Sequence, residues 1–103
     1  MDSFKDREKA FENKFAHDEE MHFKAFARRN KLIGLWAAGV LGKSGAEAES
    51  YAMECVYADF EEAGHEDVYR KLAADLSGKM DEAAIRAKMN EFLGIAKAQL
   101  LEE

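Results

Sequence analysis

Glu19-Glu20-Met21-His22 and Glu62-Ala63-Gly64-His65 each read Glu-x-x-His, the i, i+3 pair with which ferritin-like bundles hold two metal ions. A di-metal centre needs both pairs inside a bundle at one height, plus a glutamate from each of two further helices. Gly64 is placed to end a helix, which leaves His65 in a turn. Solvated histidines are therefore expected, with a metal-binding bundle protein or enzyme as the alternative. His17 and His22 stand five apart, not the four of a zinc-protease pair, and so do not share a helix face. Ala37 to Ser44 ends in Gly42-Lys43-Ser44 like a phosphate-binding P-loop, but Ala37 takes the first glycine position and no strand pattern precedes it. Cys55 lies on an apolar stripe with no basic residue beside it in sequence, which describes a packed thiol rather than a nucleophile. No catalytic constellation is expected.

The elements that would position these residues are helices. The 103 residues contain no proline, and the seven glycines fall mostly where helical patterns end. Ser3 and Asp6 give a start signal of capping-box type. From there Phe4, Phe11, Phe15, His22, Phe26, Ile33 and Val40 recur near one helical face, and Gly42 suits a C-terminus. Ser44-Gly45-Ala46-Glu47 reads as a capping box opening a second helix. Its stripe is Ala48, Ala52, Cys55, Val56 and Phe60, and it runs to about Ala63. A short third helix follows with acidic Glu66 and Asp67 at its start and Val68, Leu72 and Leu76 as its stripe, broken at Ser77-Gly78. Asp81 caps a fourth, whose inward face is Ile85, Met89, Phe92, Ala96 and Leu100.

Four helices with short connections predict an all-α four-helix bundle. Length then divides the first helix. Unbroken from Phe4 to Leu41 it would span roughly 57 Å, whereas helices of about 20 residues span about 30 Å. The bundle can cover Leu32, Ile33, Leu35 and Trp36, so residues 1–18 are expected to form a mobile or overhanging N-terminal arm and residues 19–103 the bundle domain. Three phenylalanines left in water mark an interface. The alternative is a bend near His17 that lays the first residues over their own bundle.

Composition narrows the partners. Apolar residues make up 48% and charged residues 35% of the chain, with a mean hydropathy of -0.47, as in a well-solvated globular domain. Residues 1–43 hold nine Lys/Arg against seven Asp/Glu, or +2, and residues 44–103 hold six against fourteen, or -8. An acidic body argues against nucleic acid, so Lys24, Arg28, Arg29 and Lys31 read as a solvated helix face. The longest apolar run, Leu32 to Leu41, is about half of what a membrane helix requires. Surface-seeking helices are mostly basic, whereas the arm carries both charge signs, so a membrane-surface role ranks low. A single cysteine and the absence of a secretory signal pattern point to the cytoplasm.

Five stretches carry a resemblance that covers essentially the whole chain. They are Phe4-Lys5-Asp6-Arg7-Glu8-Lys9-Ala10-Phe11-Glu12, Lys14-Phe15-Ala16-His17-Asp18, Ala27-Arg28-Arg29-Asn30-Lys31-Leu32, Gly34-Leu35-Trp36-Ala37-Ala38 and Ala58-Asp59-Phe60-Glu61-Glu62-Ala63-Gly64. With them the chain closely resembles the ζ-subunit family of alphaproteobacterial F-type ATP synthases. The resemblance implies a four-helix bundle whose N-terminus blocks ATP hydrolysis by wedging at an α/β catalytic interface of F1 beside the γ subunit. Carried over to this chain, the inhibitory segment runs from Phe4 to about His17. Phe4, Phe11 and Phe15 would be its apolar anchors, and Arg7, Glu8, Glu12 and Lys14 its register-fixing polar contacts. The implied partners are the α, β and γ subunits of F1, the implied location is peripheral to the inner membrane through the synthase, and the free protein would be a monomer. No cofactor is required; the family includes weak adenine nucleotide binders, but no motif here places such a site. Phe26 stands where the family usually carries a charge, and His65 where an aspartate cap is common.

Overall fold

A computed structural model describes residues 9, 18–59 and 66–103 of the chain. Among them are four α-helices and no strand: α1 (Glu19–Val40), α2 (Gly45–Ala58), α3 (Glu66–Asp75) and α4 (Glu82–Glu102). Each helix packs against its neighbours in sequence, and α4 closes the ring on α1. Tyr51 and Glu54 of α2 meet Asp75 and Lys71 of α3 respectively. The neighbouring helices are thus antiparallel, as short connections dictate. The four-helix bundle expected from the spacing is the fold.

The helix boundaries follow from local chemistry. Asp18 is extended, and its side chain accepts from the Met21 backbone N–H at 3.1 Å, which opens α1 with Glu19 and Glu20 at its positive end. At the other end Gly42 has φ +80. Its N–H donates to the Gly39 carbonyl at 3.1 Å, and that of Lys43 donates to the Ala38 carbonyl at 2.8 Å. This pair of bonds is a Schellman closure, and it accounts for the P-loop-like spelling: Gly42-Lys43-Ser44 is a helix stop followed by a start. Ser44 is the N-cap of α2 in extended geometry, but its side chain makes no capping bond. The expected helix start is therefore in place without the Ser44 bond of the expected capping box. The described part of α2 ends at Ala58, with Asp59 in a turn, short of the Ala63 expected. Gly64 and His65 lie outside the described residues. Gly78, at φ +80, turns the chain after α3, and Asp81 accepts from Ala84 N–H at 2.8 Å to cap α4 as expected.

The main core comprises Ile33, Ala37 and Ala38 of α1, Tyr51 and Cys55 of α2, Val68, Leu72 and the following Leu76, and Ile85 and Met89 of α4. Trp36 packs over it with its ring 6.5 Å from that of Phe92. At Gly34 the first two helices approach so closely that a Cβ would lie 2.7 Å from the Ala52 Cα. A second, smaller cluster of Ala25 and Leu100, with Met21, Leu93 and Leu101 against it, holds the start of α1 to the end of α4.

Candidate partner-binding surface

The sequence-expected anchors and contacts, Phe4, Arg7, Glu8, Phe11, Glu12, Lys14 and Phe15, lie outside the described residues, as do the start signal at Ser3 and the histidines His17 and His65. Of the expected arm before Asp18 only Lys9 is described; it is helical and exposed. What the structure describes is the root. From the Asp18 cap, α1 rises past Phe23, one of two large hydrophobic residues left exposed among those described, the other being Tyr57. Phe23 is 57% exposed. It borders an open cleft of about 540 Å³ in which Met53 and Val56 of α2 and Leu100 of α4 supply the apolar wall.

The rim of this cleft is basic. Lys24, Arg28 and Lys31 stand at successive turns of α1. They pair with Glu20 at 3.4 Å, Glu103 at 2.5 Å and Glu49 at 3.9 Å. All three pairs are open to solvent, where ion pairs hold weakly and their partners exchange. Arg29 departs from the expected solvated face: it is 3% exposed, beneath the surface with fully buried Asn30. Its Nε donates to Asn30 Oδ1 at 2.7 Å, and its guanidinium lies 5.2 Å from the Phe26 ring centroid. Burial lowers the Arg29 pKa against the opposing pull of Asp59. A charge run in sequence thus divides, with three cations outward and one inward.

A second polar group sits between α2 and α3. Tyr51 Oη donates to Asp75 Oδ2 at 2.9 Å, and Lys71 Nζ reaches that same oxygen at 3.1 Å and Glu54 Oε1 at 3.2 Å. Lys71 also lies 4.7 Å from the Tyr51 ring centroid. Burial, and then donation to Asp75, push the Tyr51 phenol far above its ordinary value. Burial alone would lower Lys71, but its bonds to Asp75 and Glu54 outweigh that and raise it. The Cys55 thiol is pushed up to about 11 by burial, with Lys71 opposing. A thiol held neutral is a core group, as its stripe position indicated.

For metal chemistry, no group of three or more His, Cys, Asp and Glu side chains is suitably gathered among the described residues. Glu19 is exposed and His22 half-buried, and their counterparts Glu62 and His65 are not described. Nor is any helix long and apolar enough to cross a membrane among the described residues. What sequence reasoning missed is Phe23, which lies off the seven-four stripe. Val56 stood on the expected α2 stripe, but its meeting with Phe23 depends on how α1 and α2 cross.

The comparisons with known proteins are consistent with this architecture. A family model described as ATPase inhibitor subunit zeta matches residues 1–99. A protein solved by NMR in solution is 65% identical, with the match covering 80% of this chain and 96% of that one at a TM-score of 0.73. No curated protein matches.

Proposed function

The chain belongs to the ATPase inhibitor subunit zeta family, and from that membership we propose that it blocks ATP hydrolysis by the F1 head of ATP synthase through residues 1–18, with residues 19–103 as the domain that carries them. The observation behind this division is the Asp18 cap: α1 has its own N-terminus there, closed by a side chain, so residues before it are not needed to complete the bundle's first helix. The arm enters an α/β catalytic interface beside γ. Phe4, Phe11 and Phe15 fill apolar pockets, while Arg7, Glu8, Glu12 and Lys14 set the register. Arresting a rotor requires only that the inhibitor bind one rotary state more tightly than the others, so the protein needs no chemistry of its own. Neither does this action call for a cofactor. The weak adenine nucleotide binding implied by the resemblance belongs to the proposal without assigned residues. Through its partner the protein sits on the cytoplasmic side of the inner membrane, and when free it is a monomer.

The test is the ATPase rate of the cognate F1 with and without this protein. Full-length protein slows hydrolysis, and deletion of residues 1–18 removes the effect while circular dichroism shows the helices retained. Equal inhibition by the truncated chain overturns the assignment of the arm. Near-stoichiometric iron, manganese or zinc in the purified protein would favour the Glu-x-x-His metal reading instead.

A further inference from the structure

The buried residues of α1 and α4 change character at one level of the bundle. Between Ile33 of the main core and Ala25 of the smaller cluster, α1 buries Asn30 and Arg29. Between Met89 and Leu100, α4 buries Gly94, Ala96, Lys97 and Ala98. Neither stretch buries a large apolar side chain. Ala25 meets Leu100 and the two helices run antiparallel, so one turn along α1 and one turn back along α4 bring Arg29 level with Ala96 and Lys97. Arg29, Asn30 and Lys97 are also the buried polar or charged residues among those described. We propose that this polar layer divides the bundle into two cooperative units, so that the end section, α1 as far as Arg28 with α4 from Ala98 on, opens and reseals while the main core stays folded.

Two sections of a bundle open together when apolar contacts straddle their boundary, because parting one exposes the apolar surface of the other. Here parting exposes the layer instead. Asn30 Oδ1 accepts from Arg29 Nε at 2.7 Å, but Asn30 Nδ2 has no hydrogen-bond partner among the described residues although the side chain is fully buried. An unmatched buried donor gains a bond as soon as water reaches it. Burial also disfavours the Arg29 charge, and Lys97 brings a second basic group to the same level. Hydration of these groups offsets part of what opening loses, so the bundle parts most readily at their level. The end section is itself lightly held, by Ala25 and Leu100 with Met21, Leu93 and Leu101 and by the Arg28–Glu103 ion pair at its rim. The main core, by contrast, encloses Ile33, Val68, Leu72, Leu76 and Ile85.

This division is separate from the proposed function, and its test needs no F1. Native-state hydrogen exchange is followed by NMR on the full-length protein at low denaturant. The amides of Phe23–Arg28 and of Ala98–Leu101 are expected to share one opening equilibrium and one denaturant dependence, with protection stepping up within one turn of Asn30 on α1 and of Lys97 on α4. Protection that climbs gradually along each helix is simple fraying and overturns the proposal. So does protection in both segments equal to that of the main core. Leu100→Ala, on α4, is expected to speed exchange of the α1 amides Phe23–Arg28 by about 10- to 100-fold. Leu72→Ala is expected to speed the main-core amides while leaving both end segments within about twofold, because their opening does not involve α3. End segments that follow Leu72→Ala as closely as the core does make the bundle one unit. Changing Arg29→Met and Asn30→Leu together replaces polar partners by apolar ones of similar size, and the end segments are expected to slow toward main-core rates. Unchanged end-segment rates in that folded variant show that the layer is not the divider. If the variant does not fold, the wild-type step decides, and a step more than one turn from Asn30 overturns the assignment.

Discussion

The two ends of the bundle are built differently. At the end with the α1–α2 and α3–α4 turns, Gly42 and Gly78 close helices in left-handed geometry, and Ala37, Leu76 and Ile85 are all but fully buried. At the other end, where α1 begins and α4 stops, the apolar cluster is reduced to Ala25 and Leu100 with three partly covered neighbours. Charged Arg29 is buried toward that end, and Phe23 is 57% exposed there. The larger buried cluster lies toward the turns, and the smaller one lies where α1 begins.

The most direct way to break this contrast is to remove one leucine from each end. Leu72→Ala, in the main core, is expected to lower unfolding stability by about 2–5 kcal/mol, and Leu100→Ala to fall at or below the bottom of that range. Equal losses in denaturant titrations would erase the distinction. On the binding side, Phe11→Ala is expected to weaken inhibition of F1 by about 1–4 kcal/mol with little change in melting temperature, the reverse of the Leu72 pattern. Gly34→Ala sharpens the picture midway along the bundle. The added methyl meets the Ala52 backbone, and a cost of about 1–3 kcal/mol is expected by thermal melting.

Alkali tests the buried centre. The folded-state pKa of Cys55 is raised to about 11, above the thiol's unfolded value of about 8.5. Its contribution is therefore complete below the unfolded pKa and is lost as pH rises through that window, on the order of 3 kcal/mol in all. Cys55→Ala should flatten the stability profile between those values; an unchanged slope would assign it to other groups such as Tyr51. The smallest effects are expected at the caps. Asp81→Ala and Asp18→Ala each remove a bond to a first-turn N–H and should cost about 0.5–2 kcal/mol. The Asp18 change should loosen only the start of α1 in hydrogen exchange, whereas that of Asp81 should reach the main core.

Much of this was legible in the residues. Asp81, Gly42 and Gly78 announce their turns because caps and left-handed glycines act locally, within four or five residues of chain. The stripes of Val68, Leu72 and Leu76 and of Ile85, Met89 and Ala96 announce the core because helical phase is also local. What could not be read depends on how helices cross. Arg29 sits in a run of outward cations and nothing in its neighbours marks it as the inward one. Lys71 meets Tyr51, Glu54 and Asp75 only through the α2–α3 register, so Cys55 was read without a basic residue nearby although Lys71 lies within its electrostatic reach. The cleft likewise draws on three helices at once. The residues expected to anchor a partner were identified by resemblance and by phase, and their geometry lies beyond the described residues.

Closure of the ring by α4 against α1 has a consequence for how the protein is made. Leu100 and Ala25 share a cluster although 75 positions separate them. During translation at about 5–20 residues per second, α1 is complete some 3–12 s before the end of α4 has been synthesised. For that interval one apolar side of the first helix has no permanent cover on the ribosome. The last turn added is the one that seals the first, so a nascent chain stalled short of Leu100 would be open where the finished protein is closed.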